Sequence, residues 1–84
     1  MPDQTWPVSI AFTEQDTHTR ADAVLELSNQ RYHGVGQAKR APGDPSVPVI
    51  GQELAAARAL ADLSHALLQA AADRIEGGPV QLHD

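Results

Sequence analysis

Hydrophobic and polar positions alternate in three successive stretches of the chain, after which the period changes. Trp6, Val8, Ile10 and Phe12 alternate with Pro7, Ser9, Ala11 and Thr13, the period of two that marks a half-buried strand. Pro7 has no amide hydrogen to donate, which puts this strand at an edge or Pro7 at its beginning. The polar run EQDTHT (residues 14–19) reads as a hairpin turn. A second alternation sets Ala21, Ala23, Leu25 and Leu27 on one face against Arg20, Asp22, Val24 and Glu26 on the other. Ser28-Asn29-Gln30-Arg31 is the next turn, with an asparagine that tolerates left-handed geometry. The third alternation, Tyr32 to Arg40, keeps Gly34, Gly36 and Ala38 on one face and His33, Val35, Gln37 and Lys39 on the other. A strand with one nearly bare face has another backbone close above it. The chain then leaves the sheet through APGDPSVPV, where Pro42, Pro45 and Pro48 argue against regular structure.

From Gly51 the period is helical. In QELAAARALADLSHALLQAAADRIE, Ile50, Leu54, Ala57, Ala61, Ser64, Leu68, Ala71 and Ile75 fall on one side, with Leu60 and Leu67 on its flank. Arg58, Asp62, Gln69, Asp73 and Glu76 fall opposite, so the first set is the expected buried face. Alanine favours the helix intrinsically, and Gly77-Gly78-Pro79 supplies a stop. At 1.5 Å per residue the helix is roughly 38 Å long. The expectation is an α+β fold of order β-β-β-α, a three-stranded antiparallel meander packed on one long C-terminal helix. The strands fall at about 5–13, 19–28 and 32–40, the linker at 41–50, the helix at about 51–76 and a tail at 77–84, all in a single domain. In this frame Gly34, Gly36 and Ala38 let an alanine-faced helix press on the sheet.

Composition narrows the functional classes. With 84 residues, six basic side chains against eleven acidic ones and a net charge of −5, the chain lacks the basic excess by which nucleic-acid binders gain affinity. Cysteine is absent, which excludes disulfides and thiolate metal sites and fits a reducing cytoplasm. Arg58, Asp62, His65 and Gln69 interrupt the apolar stretches far short of a membrane span, and no signal-peptide pattern opens the chain. A domain this small has a thin core, which favours a partner subunit.

The third strand GVGQA, the proline-broken linker, the stretch VPVIGQELAAARALADLSHALLQAAA and the glycine stop together resemble a small actinobacterial domain-of-unknown-function family. The likeness spans about residues 5–77. It implies a fold similar to the double-stranded-RNA-binding domain, yet set apart from it. The family's character implies a small accessory protein, with stress adaptation as its setting, and it supplies no activity to transfer. RNA-binding members of that fold carry a lysine cluster at the start of the last helix. This chain has Gly51-Gln52-Glu53-Leu54 there, and fold alone does not settle function.

No catalytic motif emerges. Gly34-Val35-Gly36 lies inside a strand, whereas a dinucleotide loop needs glycines between a strand and an immediately following helix. His18, His33, His65 and His83 show no metal-ligand spacing. Ser64 and His65 are adjacent and point to different sides of a helix, so they cannot act as nucleophile and base. Ser64 is expected to bond a carbonyl one turn back, and Arg58 and Asp62 to form an ordinary solvated face. A domain this small is not expected to hold a ligand pocket of ~300 Å³ or more. The uncovered sheet face remains, with Val24, His33, Val35 and Gln37 as candidate interface residues. Lys39 and Arg40 are expected to pair with Asp22 or Glu26. The expectation is a non-catalytic cytoplasmic interaction module without cofactor, forming a homodimer or binding another protein. The alternatives are an RNA or ribonucleoprotein binder using Arg20, Arg31, Lys39 and Arg40, and a small-ligand or metal binder at a subunit boundary using His33 or His65.

Overall fold

The computed structural model describes residues 3–41, 43 and 47–77. It is an α+β fold in which β1 (Val8–Gln15), β2 (His18–Glu26) and β3 (Arg31–Lys39) precede the helix α1 (Pro48–Gly77). The strands form one antiparallel sheet in the order β1-β2-β3, with Ile10 opposite Ala23 and Ala23 opposite Gly34.

Local chemistry moves several boundaries. The polar run at 14–19 is mostly strand, and only Asp16 and Thr17 lie outside the ladder, which runs on to the Gln15–His18 pair. Asp16 makes this tight connection with a φ of 50°, a left-handed conformation that aspartate tolerates better than most residues. In the second turn the Leu27 amide donates to the Gln30 carbonyl at 2.8 Å. The helix starts at Pro48, inside the expected linker. Proline suits the first helical turn because its missing amide hydrogen has no intrahelical acceptor there. The expected stop at Gly78-Pro79 and the tail beyond it lie outside the described residues, as does His83.

The sheet's inner face is the expected one. Ala21, Ala23, Leu25 and Ala38 are buried, and Ile10, Leu27 and Tyr32 pack around them. The helix presents the opposite face from that expected. Ala55, Ala59 and Leu63 are buried against the sheet, whereas Ile50, Leu54, Ala57, Ala61, Ser64, Leu68, Ala71 and Ile75 are all exposed. The physical reason lies in β3. A methyl group built on Gly34 would meet the Ala59 carbonyl and the Leu63 amide, coming within 2.8 Å of Leu63 Cα. One built on Gly36 would meet the Ala55 carbonyl and the Ala59 amide, and lie 2.8 Å from the Arg58 carbonyl carbon. The two backbones touch, so only a small-residue stripe fits between them, and the larger aliphatics turn outward. The bare glycine face thus has the packing role read from the sequence.

Helix α1 lies over β3 and β2 and leaves β1 largely uncovered. Val8 and Phe12 share the helix side of β1 with Ile10 by alternation, and remain 43% and 40% exposed. Among the described residues, no helix is long and apolar enough to cross a membrane.

Candidate functional site

The open sheet face collects the residues singled out in the sequence except Arg40, which follows β3 and lines the cleft at the start of α1. Val24, His33, Val35 and Gln37 alternate with inward-facing neighbours, as do Arg20, Arg31 and Lys39. The register sets Val24 opposite His33, Asp22 opposite Val35 and Arg20 opposite Gln37. Val24 and Val35 are half-buried, and His33 and Gln37 exposed. Asp22 organises the centre. Arg20 donates to both of its carboxylate oxygens through Nε at 3.1 Å and an Nη at 3.0 Å, and His33 Nε2 lies 2.8 Å from the same carboxylate. The Arg20 bonds, and then the His33 bond, hold the Asp22 carboxyl below the ordinary carboxylate range. Asp22 is therefore engaged by Arg20 and His33 rather than by Lys39 or Arg40. Arg31 stands opposite Glu26 and Lys39 opposite His18, while the Arg40 amide donates to the Thr17 carbonyl at 2.8 Å. Of the four basic residues proposed for RNA, Arg20, Arg31 and Lys39 are thus spread along β2 and β3 and Arg40 lies beyond the end of β3, with Arg20 already neutralised.

The helix carries two polar residues whose role was missed in the sequence. Arg58 and Asp62 do not form the simple solvated face their spacing implies. An Arg58 Nη donates to the Gln37 carbonyl at 2.7 Å, and the Val35 amide donates to an Asp62 carboxylate oxygen at 2.8 Å. These are outward-pointing main-chain groups of β3, the ones a neighbouring sheet would use. The signal was present in the spacing: i, i+4 polar residues beside a buried i, i+4 stripe reach the same strand edge. Replacing Asp62 by alanine is expected to cost about 1–2 kcal/mol and to accelerate hydrogen exchange at the Val35 amide selectively. Unchanged exchange there would show that the edge is not held by this contact.

Ser64 Oγ donates to the Ala61 carbonyl at 2.8 Å, the local bond expected of it, although from an exposed position. His65 is exposed on the helix. Among the described residues no group of three or more His, Asp or Glu side chains is placed to hold a metal. A cleft of about 300 Å³ opens between the β1–β2 turn and the start of α1, lined in part by Glu14, Thr19, Lys39, Ile50 and Leu54. It reaches the lower end of ligand-site volumes, so the chain is not too small to form one.

The outward face of α1 is the most unusual surface. Ile50 (52%), Leu54 (46%), Leu68 (66%) and Ile75 (44%) are exposed in one row with Leu60 (43%) on its flank, a contiguous apolar stripe of the kind that marks an interaction site.

Fold and surface define a small α+β protein with, among the described residues, one sheet, one helix and an uncovered apolar helix face. The chain belongs to the Rv2632c-like family, whose model matches residues 4–82. The crystal structure of Rv2632c superposes with a TM-score of 0.84 at 36% identity, covering 98% of each chain. Among curated relatives, the uncharacterized protein Rv2632c of Mycobacterium tuberculosis (strain ATCC 25618 / H37Rv) is 38% identical over 78 residues, 93% of this chain and 84% of its own length. The uncharacterized protein MT1780 of Mycobacterium tuberculosis (strain CDC 1551 / Oshkosh) is 42% identical over 73 residues, 87% of this chain and 78% of its own. The actinobacterial resemblance read from the sequence is this family, and its members bring no assigned activity.

Proposed function

We propose that the protein is a non-catalytic interaction module that takes its partner on the outward face of α1. The observation that carries this reading is the row Ile50, Leu54, Leu68 and Ile75 with Leu60 on its flank, each more than two-fifths exposed on a helix whose opposite side already serves the core. Burying one such side chain is worth about 1.5–3 kcal/mol, so a partner covering the row gains substantially. The open sheet face is the weaker candidate, because its centre is a satisfied Arg20–Asp22–His33 network and its two valines are already half-buried. The same network supports a non-catalytic reading, since its carboxylate is occupied, and Ser64, the serine next to a histidine, is bonded to its own helix.

The test is capture from native lysate with and without ribonuclease, comparing the wild-type chain with the Leu54→Glu/Leu68→Glu variant. Ribonuclease-resistant capture that the variant loses is the expected result. Capture that the variant retains would move the interface off the helix. Capture that disappears with ribonuclease would favour RNA, through Arg20, Arg31, Lys39 and Arg40.

A further inference from the structure

Resting on that reading, we infer that the occupant of the helix face is a second copy of this chain, its α1 lying antiparallel to the first about a two-fold axis. The exposed row Ile50, Leu54, Ala57, Ala61, Ser64, Leu68, Ala71, Ile75 is spaced 4-3-4-3-4-3-4. This is the repeat of a coiled-coil seam, placed opposite the stripe that contacts the sheet. Its residue sizes are complementary to themselves only when reversed. About a two-fold axis between residues 62 and 63, Ile50 meets the partner's Ile75, Leu54 meets the partner's Ala71, Ala57 meets the partner's Leu68, and Ala61 meets the partner's Ser64. Each leucine of the seam then faces an alanine, and the smallest pair sits at the axis, so the helices approach evenly. A parallel pair would stack Leu54 on its own copy and leave the four small layers Ala57, Ala61, Ser64 and Ala71 each facing itself.

Charge fixes the same register independently. Glu53, Leu60, Leu67 and Arg74 flank the seam at seven-residue intervals. Glu53 and Arg74 have no ion-pair partner among the described residues. They stand twenty-one residues, about 31 Å, apart on one helix, so they cannot reach each other within one chain. In the antiparallel pair Glu53 meets the partner's Arg74, Arg74 meets the partner's Glu53, and the exposed Leu60 meets the outer edge of the partner's Leu67, a half-buried side chain that also packs on its own core. Flanking positions of this kind set partner choice and orientation in helix pairs. This flank lies on the β1 side of the helix: Arg58 and Asp62 hold the other side to β3, Leu67 packs on the core with Ile10 of β1, and Gln52 Nε2, next to Glu53, donates to a Glu14 carboxylate oxygen at 3.1 Å. The exposed Val8 and Phe12 lie on the same side, so the apolar surface continues past the helix. On the other flank Arg58 and Asp62 are already committed to the edge of β3.

The test is sedimentation equilibrium of the full chain and four variants, with circular dichroism to verify helix content. The wild type is expected at twice the chain mass, and Leu68→Glu at a single mass with its helix intact, dimerisation weakened at least about tenfold. Glu53→Arg and Arg74→Glu should each weaken the dimer, and the Glu53→Arg/Arg74→Glu double variant should recover it. A dimer in which the double variant fares no better than the singles overturns the antiparallel register. A wild type of single mass at every concentration overturns self-association. In that case the helix-face reading stands if Leu54→Glu/Leu68→Glu still abolishes capture, and falls with it if capture is unchanged.

Discussion

Replacing Gly36 by alanine is expected to destabilise the fold at or above the upper end of the ~1–3 kcal/mol typical of overpacking. The new methyl group meets only main-chain atoms, those of Ala55, Arg58 and Ala59, and no side chain can swing aside to admit it. The helix must lift off the sheet, and lifting it removes Ala55, Ala59 and Leu63 from the core together. Gly34→Ala acts one turn further along, against Ala59 and Leu63, and shares that backbone contact, so the double variant should not form the packed helix–sheet pair. Gly51→Ala is the control. Its added methyl group meets the Thr19 hydroxyl at 3.1 Å, a side-chain atom that can rotate, and alanine gains up to about 1 kcal/mol of helix propensity over glycine. Urea unfolding midpoints should fall steeply for Gly36→Ala and stay near wild type for Gly51→Ala. Equal midpoints for Gly36→Ala and wild type would mean that the two backbones are not in contact.

The same pair of glycines marks where the sequence was legible and where it was not. Period-two alternation identified three strands, the inner face Ala21-Ala23-Leu25 and the bare face of β3, because a strand has only two faces and one was plainly apolar. The helix is harder, since three of its four sides are apolar or small. Summing hydrophobicity around it selects Ile50, Leu54, Leu68 and Ile75 as the interior, because aliphatic size dominates such a sum. The glycines invert that choice. A strand face carrying Gly34 and Gly36 has room for alanine methyl groups and none for leucines, so the helix docks by its smallest side. Pairing the two elements by size, rather than reading each by hydrophobicity, selects Ala55 and Ala59 correctly and leaves the larger stripe outside. The Arg20–Asp22–His33 cluster was invisible for another reason. It depends on the diagonal between strands, and a one-residue slip of register would dissolve it.

Leu25→Ala is expected to cost about 2–5 kcal/mol, a large fraction of what a chain of this size has to lose. The core it belongs to is unusually small-grained: Ala21, Ala23, Ala38, Ala55 and Ala59 with Leu63, and Leu25 is its largest fully buried side chain. Alanines lose no side-chain rotamer freedom on burial, but each contributes little apolar area, so the leucines carry a disproportionate share. Leu54→Ala is the contrasting case. It removes as many atoms from a side chain that is 46% exposed, and in dilute solution unfolding should shift by no more than about 0.5 kcal/mol. Should Leu54 prove as costly as Leu25 in dilute solution, the helix would be docked by its other face. Concentration adds a second axis to the comparison. A chain whose core is thin and whose largest aliphatic row faces outward has its folding coupled to pairing, since a second copy binds the folded state and not the unfolded one. The melting temperature of Leu25→Ala should therefore rise with protein concentration, and Leu25→Ala/Leu68→Glu should lose that dependence. A melting temperature that ignores concentration in both variants would uncouple the outward row from the stability of the fold.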